Sequence, residues 1–362
     1  MLRAPVDDEV RRQADDHHAR LTKPPGSLGR LEALGAQLAA IAGRCPPPVP
    51  APVAIAVFAG DHGVHAQGVS SWPQEVTAQM AANFLAGGAA INVLARHLGA
   101  AVAVVDVGIA SSVAVPGTIR RSLEGGGLSR DPVWLDRRIR AGTSDLSIGP
   151  AMSTAEAQAA LDIGVDVATQ LAHAGARLLV TGDMGIANTT PAAALIAAYT
   201  GTDALAVTGR GAGIDGPTFG RKAKLVAQAA ARVASLPHGP LGILAEVGGF
   251  EHAALAGYII GAAGAGVPVV ADGVIALSAV LAAEALSPGV KNWVIAGHRS
   301  SEPGATAALE HLGMQPILDL GLRLGEGSGA ALAVPIVQAA ALVMAEMATF
   351  DDAGVDRSPP EL

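Results

Sequence analysis

The chain has 362 residues and a mass of 36.0 kDa, enough to bury a sizeable core in one large domain with a smaller appendage. A net charge of -8 and the absence of basic clusters interleaved with aromatics argue against a nucleic-acid partner, whose affinity rests on many Lys and Arg contacts to phosphate. The single cysteine, Cys45, permits no internal disulfide, and no C-x-x-C pair offers zinc binding or redox chemistry, so a reducing cytoplasm is the expected location.

From the N-terminus, Asp7, Asp8 and Glu9 stand where a signal peptide would carry its apolar stretch, so export is not expected. Residues 7–43 are helical in pattern, with Leu28, Leu31, Leu34, Leu38 and Ile41 recurring at three- and four-residue spacings on one face. Pro24-Pro25-Gly26 breaks the chain before that face. Pro46-Pro47-Pro48-Val49-Pro50 is an extended connector that excludes helix, and it marks the clearest domain boundary. Beyond it, short apolar runs at Val53–Phe58, Ala101–Val107, Arg177–Thr181, Ile243–Val247, Val267–Ala271 and Trp293–Ala296 alternate with Ala-rich helical stretches. That alternation predicts βα units around a parallel sheet.

Several of the predicted strands end in a glycine and polar cluster: Gly60-Asp61-His62-Gly63, Gly182-Asp183-Met184-Gly185, Gly248-Gly249-Phe250-Glu251, Asp272-Gly273 and Gly297-His298. Ligands of open α/β sheets bind at the carboxyl ends of strands, so these clusters mark the expected site face. Mean hydropathy is +0.40, with only 15% charged residues, which raises a membrane question. The most apolar segment, Gly329–Met344, is interrupted by Pro335 and Gln338 and falls short of the ~20 apolar residues a span needs, so it reads as a buried core helix. The last residues, 351–362, read as a frayed tail.

Chemistry concentrates in a few segments. Gly182 to Thr190 follows a predicted strand and opens a helix, placing Gly185 and the hydroxyls of Thr189 and Thr190 where free N–H groups and the positive helix end favour a phosphate. A threonine there can equally be a plain helix cap, but Asp183, Asn188 and two threonines together exceed what a cap needs. Gly209 to Gly216 superficially resembles a dinucleotide fingerprint, yet the acidic residue required about 20 positions on is missing, and a flexible loop near the ligand is the better reading. Lys222 beyond it is a candidate anion partner, although by itself it reads as part of a solvated helix face. Ser300, after a predicted strand, is placed to donate to a phosphate oxygen. Neither His-Glu-x-x-His nor His-x-His occurs, so no metal is expected. Glu326 lies between glycines directly before an apolar helix; it is either a carboxylate whose pKa apolar walls raise into general-base range or a residue serving the helix dipole.

Taken in order, LTKPPGSLGRLE, FAGDHGV, GVSSWPQEVTAQM, GDMGIANTT, GRGAG, VGGFE, DGVIALSA, GHRSSEPG and RLGEGSGAALAVPIV resemble the nicotinate-nucleotide:dimethylbenzimidazole phosphoribosyltransferase family of cobalamin biosynthesis, over residues 21–350. The resemblance implies a three-layer α/β/α fold with a mostly parallel, Rossmann-like sheet, a small helical domain built from both chain ends, and a homodimer. On that division residues 1–45 and 326–350 supply the small domain and 51–325 the α/β domain. Neither a cofactor nor a membrane is expected, and the resemblance implies transfer of the 5-phosphoribosyl group of nicotinate mononucleotide to 5,6-dimethylbenzimidazole. Glu326 falls at the position of the catalytic base, with Asp183 and Lys222 supporting it. Ser71, Gln79, Met80, Met184 and Leu324 would line the base pocket, and Gly185, Asn188, Thr189, Gly211, Ser300 and Gly325 would approach phosphate and ribose. The chain departs from the family pattern at Asp183, where Glu is common, and at Ala187, where Gly is. Other acceptors (another benzimidazole, a purine or a phenol) are the nearest alternative, followed by a nicotinamide-dependent oxidoreductase resting on the Gly209 loop.

Overall fold

The computed structural model describes residues 7–123, 127–235 and 239–356. Six parallel strands form one sheet: β1 (Val53–Gly60), β2 (Ala101–Gly108), β3 (Val133–Asp136), β4 (Leu178–Met184), β5 (Val269–Ala271) and β6 (Val294–Ala296). Their order is β3-β2-β1-β4-β5-β6, so the chain reverses direction across the sheet between β1 and β4. Every residue of β1 and β2 is buried. Burial on both faces is why these strands read as unbroken apolar runs instead of alternating ones.

The two-residue side-chain period sorts β1 between two helical layers. Ala54, Ala56 and Phe58 face a core shared with the helices Thr154–His173, Phe250–Ala265 and Val274–Leu286. Val53, Ile55, Val57 and Ala59 face another, with the helices Arg30–Ala42, Val76–Ala86, Ala90–Leu98 and Ser328–Glu346. The abundance of alanine and glycine is a packing device. A Cβ on Gly164 would stand 1.8 Å from the Ala254 carbonyl oxygen, and one on Gly257 would stand 1.9 Å from that of Leu161. Helices Thr154–His173 and Phe250–Ala265 therefore touch backbone to backbone, which larger residues forbid.

At the chain ends, Val10, Ala14, Ala36, Ala39 and Met344 form a small separate core. Leu21 pairs with Thr349 in an antiparallel bridge, and His17 Nε2 lies 2.8 Å from the Met344 carbonyl oxygen. The helix Ser328–Glu346 serves both places: Ala330, Val334 and Val337 pack on the sheet, while Met344 reaches the terminal helices.

Three expectations need correction. Ile243–Val247 is not a strand but the end of a helix, Pro240–Val247, with Pro240 in its first turn. A short apolar run is ambiguous between strand and buried helix, and proline at the helix start is the deciding signal. β3 is absent from the predicted strands because only Val133, Trp134 and Leu135 are buried and the strand sits at the sheet edge. Asp351 and Asp352 belong to a short helix, Phe350–Ala353, whose cap Thr349 accepts from the Asp352 N–H, while residues 357–362 of the expected tail lie outside the described part. Two stretches, Val76–Leu98 and Ser328–Glu346, are long and apolar enough to span a membrane by composition. The first is two helices broken at Gly87, and the second packs on the sheet.

Candidate active site

A cleft enclosing roughly 890 Å³ of space open to solvent lies beyond the carboxyl ends of β4, β5 and β6. This is where the reversal of strand order leaves a crevice in a doubly wound sheet. Its walls are the segment Asp183–Thr189 after β4, Gly273–Ile275 after β5, and His298, Ser300 and Glu302 after β6. Arg210–Ala212, Lys222 and Arg323–Gly325 close it from the side. The helices Thr189–Thr200 and Val274–Leu286 both begin at this rim, so two positive helix ends with free N–H groups border the space.

Lys222 is 1% exposed, which removes it from the solvated face that its sequence alone suggests. Its ammonium donates to Thr189 Oγ1 at 2.8 Å and to the Gly209 carbonyl at 2.9 Å, leaving one of three N–H groups for a ligand. Burial pushes its pKa down to about 8 against the opposing pull of the Glu302 charge. Thr189 therefore orients a lysine; it does not cap its helix, and the residue at the cap position, Asn188, makes no side-chain cap bond. Asn188 instead donates from Nδ2 to Asp183 Oδ2 at 3.0 Å. Burial, then repulsion from Asp272 and Glu251, raises the Asp183 carboxyl well above the usual carboxylate range despite that bond. The shorter Asp still reaches the cleft. Glu302 accepts from the Gly211 N–H at 2.8 Å, and Arg323 donates to the Gly211 carbonyl at 2.9 Å, so the glycine loop is pinned at both of its polar groups.

Glu326 is buried and has φ of 64°, between Gly325 at 82° and Gly327 at 93°. A left-handed non-glycine residue costs roughly 1–2 kcal/mol, and such strain clusters at functional positions. What holds it is visible: its N–H donates to the Asp183 carbonyl at 3.2 Å, and its own carbonyl oxygen would be 2.5 Å from a Cβ on Gly182. The carboxylate accepts from the Ile91 N–H at 3.3 Å, at the start of the helix Ala90–Leu98. Burial raises its pKa, the Ile91 bond opposes this, and the Asp272 charge adds to the rise. Asp272 in turn accepts from the N–H groups of Ala330 at 2.9 Å and Gly327 at 3.3 Å, so Asp272, and not Glu326, serves the dipole of the Ser328–Glu346 helix.

Of the residues singled out by sequence, the cleft gathers Asp183, Met184, Gly185, Asn188, Thr189, Gly211, Lys222, Ser300, Leu324 and Gly325. Glu326, Ser71, Gln79 and Met80 are not among its lining. Ser71 and Gln79 are exposed, and Met80 and Met184 both pack, half-buried, against the core beside the sheet. Sequence reasoning missed Trp72, Arg210, Arg323 and Glu302, which also line the space. Each adjoins a glycine-rich or Ser-Ser motif, and that adjacency is the only signal the sequence offers. The Gly209–Gly216 loop follows the short helix Ala204–Val207, not the first strand, which removes the structural context of a dinucleotide fingerprint. Below Gly185, the buried side chains of His62, Glu251 and His252 meet, a grouping no local motif announces.

Comparison with known proteins agrees with this geometry. A family model described as Phosphoribosyltransferase matches residues 4–355. The chain is 56% identical over 352 residues to the nicotinate-nucleotide–dimethylbenzimidazole phosphoribosyltransferase of Salinispora tropica, covering 97% of this chain and 96% of that one. It is 48% identical over 351 residues to the protein of the same name from Chloroflexus aggregans, covering 97% and 95%. The crystal structure of CobT from Thermus thermophilus superposes with a TM-score of 0.88 at 46% identity, over 97% of this chain and all of that one. The chain thus belongs to the nicotinate-nucleotide–dimethylbenzimidazole phosphoribosyltransferase family.

Proposed function

We propose that this chain moves the 5-phosphoribosyl group from nicotinate mononucleotide to 5,6-dimethylbenzimidazole, giving α-ribazole 5′-phosphate and nicotinate in assembly of the cobalamin nucleotide loop. The observation that carries it is the joining of Lys222, Thr189, Asn188 and Asp183 beside two helix N-termini in one cleft of a family member. Phosphate and ribose are assigned to Gly185, Asn188, Thr189, Gly211, Ser300 and Gly325. The two aromatic rings are assigned to Ser71, Gln79, Met80, Met184 and Leu324.

The chemistry needs one base and no acid. Nicotinate leaves from a cationic pyridinium, so its nitrogen departs neutral. As one nitrogen of the incoming benzimidazole attacks C1′, the other must lose its proton, and Glu326 is the acceptor. Attack opposite the leaving group inverts the anomeric carbon from β to α. Support for Glu326 comes from its strained backbone and raised pKa. The reading requires the acceptor ring beyond Leu324 and Gly325, with its azole N–H taking over from the Ile91 N–H as partner of the carboxylate. A positioned base contributes roughly 10²–10⁴-fold, and aligning both rings supplies much of the rest. Asp183, its carboxyl raised well above the usual carboxylate range by burial and by neighbouring carboxylates and held by Asn188, helps position the ligand in this scheme, and Lys222 holds the ligand or offsets developing charge.

A cytoplasmic homodimer belongs to the same proposal. Its support is the exposed Val93, Leu332 and Leu342 on two helices that pack together. The test is purified protein with nicotinate mononucleotide and a panel of acceptors, namely dimethylbenzimidazole, benzimidazole, a purine and a phenol, with products separated and their anomeric linkage assigned. Nicotinate release with α-linked product is expected, fastest with dimethylbenzimidazole. No release with any acceptor would sink the transferase reading, and thermal protection by NAD but not by nicotinate mononucleotide would favour an oxidoreductase.

A further inference from the structure

His62, Glu251 and His252 come from two places far apart in the chain, the turn after β1 and the first turn of the helix Phe250–Ala265. Their ligand atoms lie within 4.8 Å of one another, with His62 Nε2 and His252 Nδ1 each 2.8 Å from the same Glu251 oxygen. All three side chains are fully buried. His62 Nε2 and His252 Nδ1 pair with Glu251 Oε1, while His62 Nδ1, His252 Nε2 and Glu251 Oε2 are buried with no hydrogen-bond partner among the described residues. Native proteins seldom leave buried polar atoms in that state unless an ion or ordered water completes them.

Glycine keeps the spot clear. A Cβ on Gly249 would stand 2.5 Å from His62 Cε1, 2.6 Å from Glu251 Oε2 and 2.9 Å from His252 Nδ1. Gly60 and Gly185 press on the same group, where a Cβ would be 3.2 Å from Glu251 Oε2 and from His62 Nε2 respectively.

We infer that His62 Nε2, His252 Nδ1 and the Glu251 carboxylate hold one divalent transition cation of the zinc class, as a structural centre under the cleft. Two imidazoles and one carboxylate suit a borderline ion, whereas magnesium and calcium prefer all-oxygen shells. Ligands about 2.0–2.2 Å from a tetrahedral ion stand roughly 3.3 Å apart, so the two 2.8 Å contacts to Glu251 need open by only about half an ångström, with all ligand atoms within 4.8 Å of one another. The ion would tie the turn after β1 to the helix Phe250–Ala265 directly beneath Gly185, and so fix the floor of the proposed phosphate site without touching substrate.

The test uses untagged full-length protein expressed with added zinc or with added cobalt. Elemental analysis is expected to find one zinc per chain, and the cobalt protein to show the visible d–d bands of a low-coordinate site. Protein unfolded and refolded with zinc should melt several degrees higher than protein refolded with chelator, magnesium or calcium, because a ligand held only by the native state stabilises it. His252→Gln should lose the metal, and His173→Gln, at a helix end remote from the group in sequence, should keep it. Wild-type protein without stoichiometric metal and with no cobalt bands would overturn the proposal, as would a folded His252→Gln variant that retains full metal content. If that variant fails to fold, the wild-type metal content and spectrum decide alone. The readout is independent of turnover, so failure of the transferase reading would leave this result standing.

Discussion

Replacing Glu326 by Gln separates the catalytic from the structural consequences of its carboxylate. The amide has the same shape and keeps an oxygen for the Ile91 N–H, so the left-handed turn at φ of 64° and its contact with Gly182 are retained. What disappears is the proton acceptor. If Glu326 is the base, turnover should fall about 10²–10⁴-fold, or roughly 3–5 kcal/mol of barrier, with little change in binding of nicotinate mononucleotide. Stability should move the other way. The folded pKa of Glu326 is raised above its unfolded value by burial and by Asp272. Its contribution is therefore fully present below the unfolded pKa and is lost as pH rises through the folded one. Relative to wild type, the Gln variant should gain stability as pH rises from about 4 towards 7. The assays are steady-state turnover against pH and urea unfolding at a series of pH values. In wild type the acid limb of turnover should lie above the ordinary Glu range, and in the variant that limb should vanish. Turnover within a few-fold of wild type, with the acid limb intact, would refute the assignment of Glu326 as base.

Lys222→Met should remove a pH dependence of stability. The folded pKa is about 8 against an ordinary value of 10.5, so the wild-type chain gains stability from this group as pH rises through that window, on the order of 3 kcal/mol, and a variant with the same slope would contradict the burial argument. Gly182→Ala should destabilise by about 1–3 kcal/mol and depress turnover, because the new Cβ meets the Glu326 carbonyl at 2.5 Å; unfolding midpoints and kcat test both. Ala187→Gly should raise stability by about 0.5–1 kcal/mol, since Ala187 sits at φ of 75°, where the alanine Cβ is strained. A loss of stability would mean that the methyl, buried in the core, contributes more packing than strain.

The departures from the family pattern illustrate how far sequence reasoning reaches. From sequence, the concern at Ala187 is a methyl crowding a ligand, whereas the structure assigns its cost to a positive φ. At Asp183 the concern is reach, and the residue does line the cleft. The strand Ile243–Val247 fails for a different reason: four apolar residues around Glu246 carry no period that distinguishes a strand from one turn of buried helix.

By itself the sequence determined the parallel sheet, because strands buried on both faces must be short and continuously apolar, and it marked part of the cleft border through the clusters after β4, β5 and β6, whereas Gly60–Gly63 and Gly248–Glu251 lie outside its lining. It also carried the family, through segments whose order is as informative as their residues. Tertiary structure alone decided the electrostatics. Lys222 reads as a surface residue until Thr189 and Gly209 are seen to bury it, and Glu326 reads as a helix-dipole residue until Asp272 is seen to hold that place. His62 and the Glu251–His252 pair meet only because β1 and the helix Phe250–Ala265 pack together, a proximity that no spacing along the chain encodes.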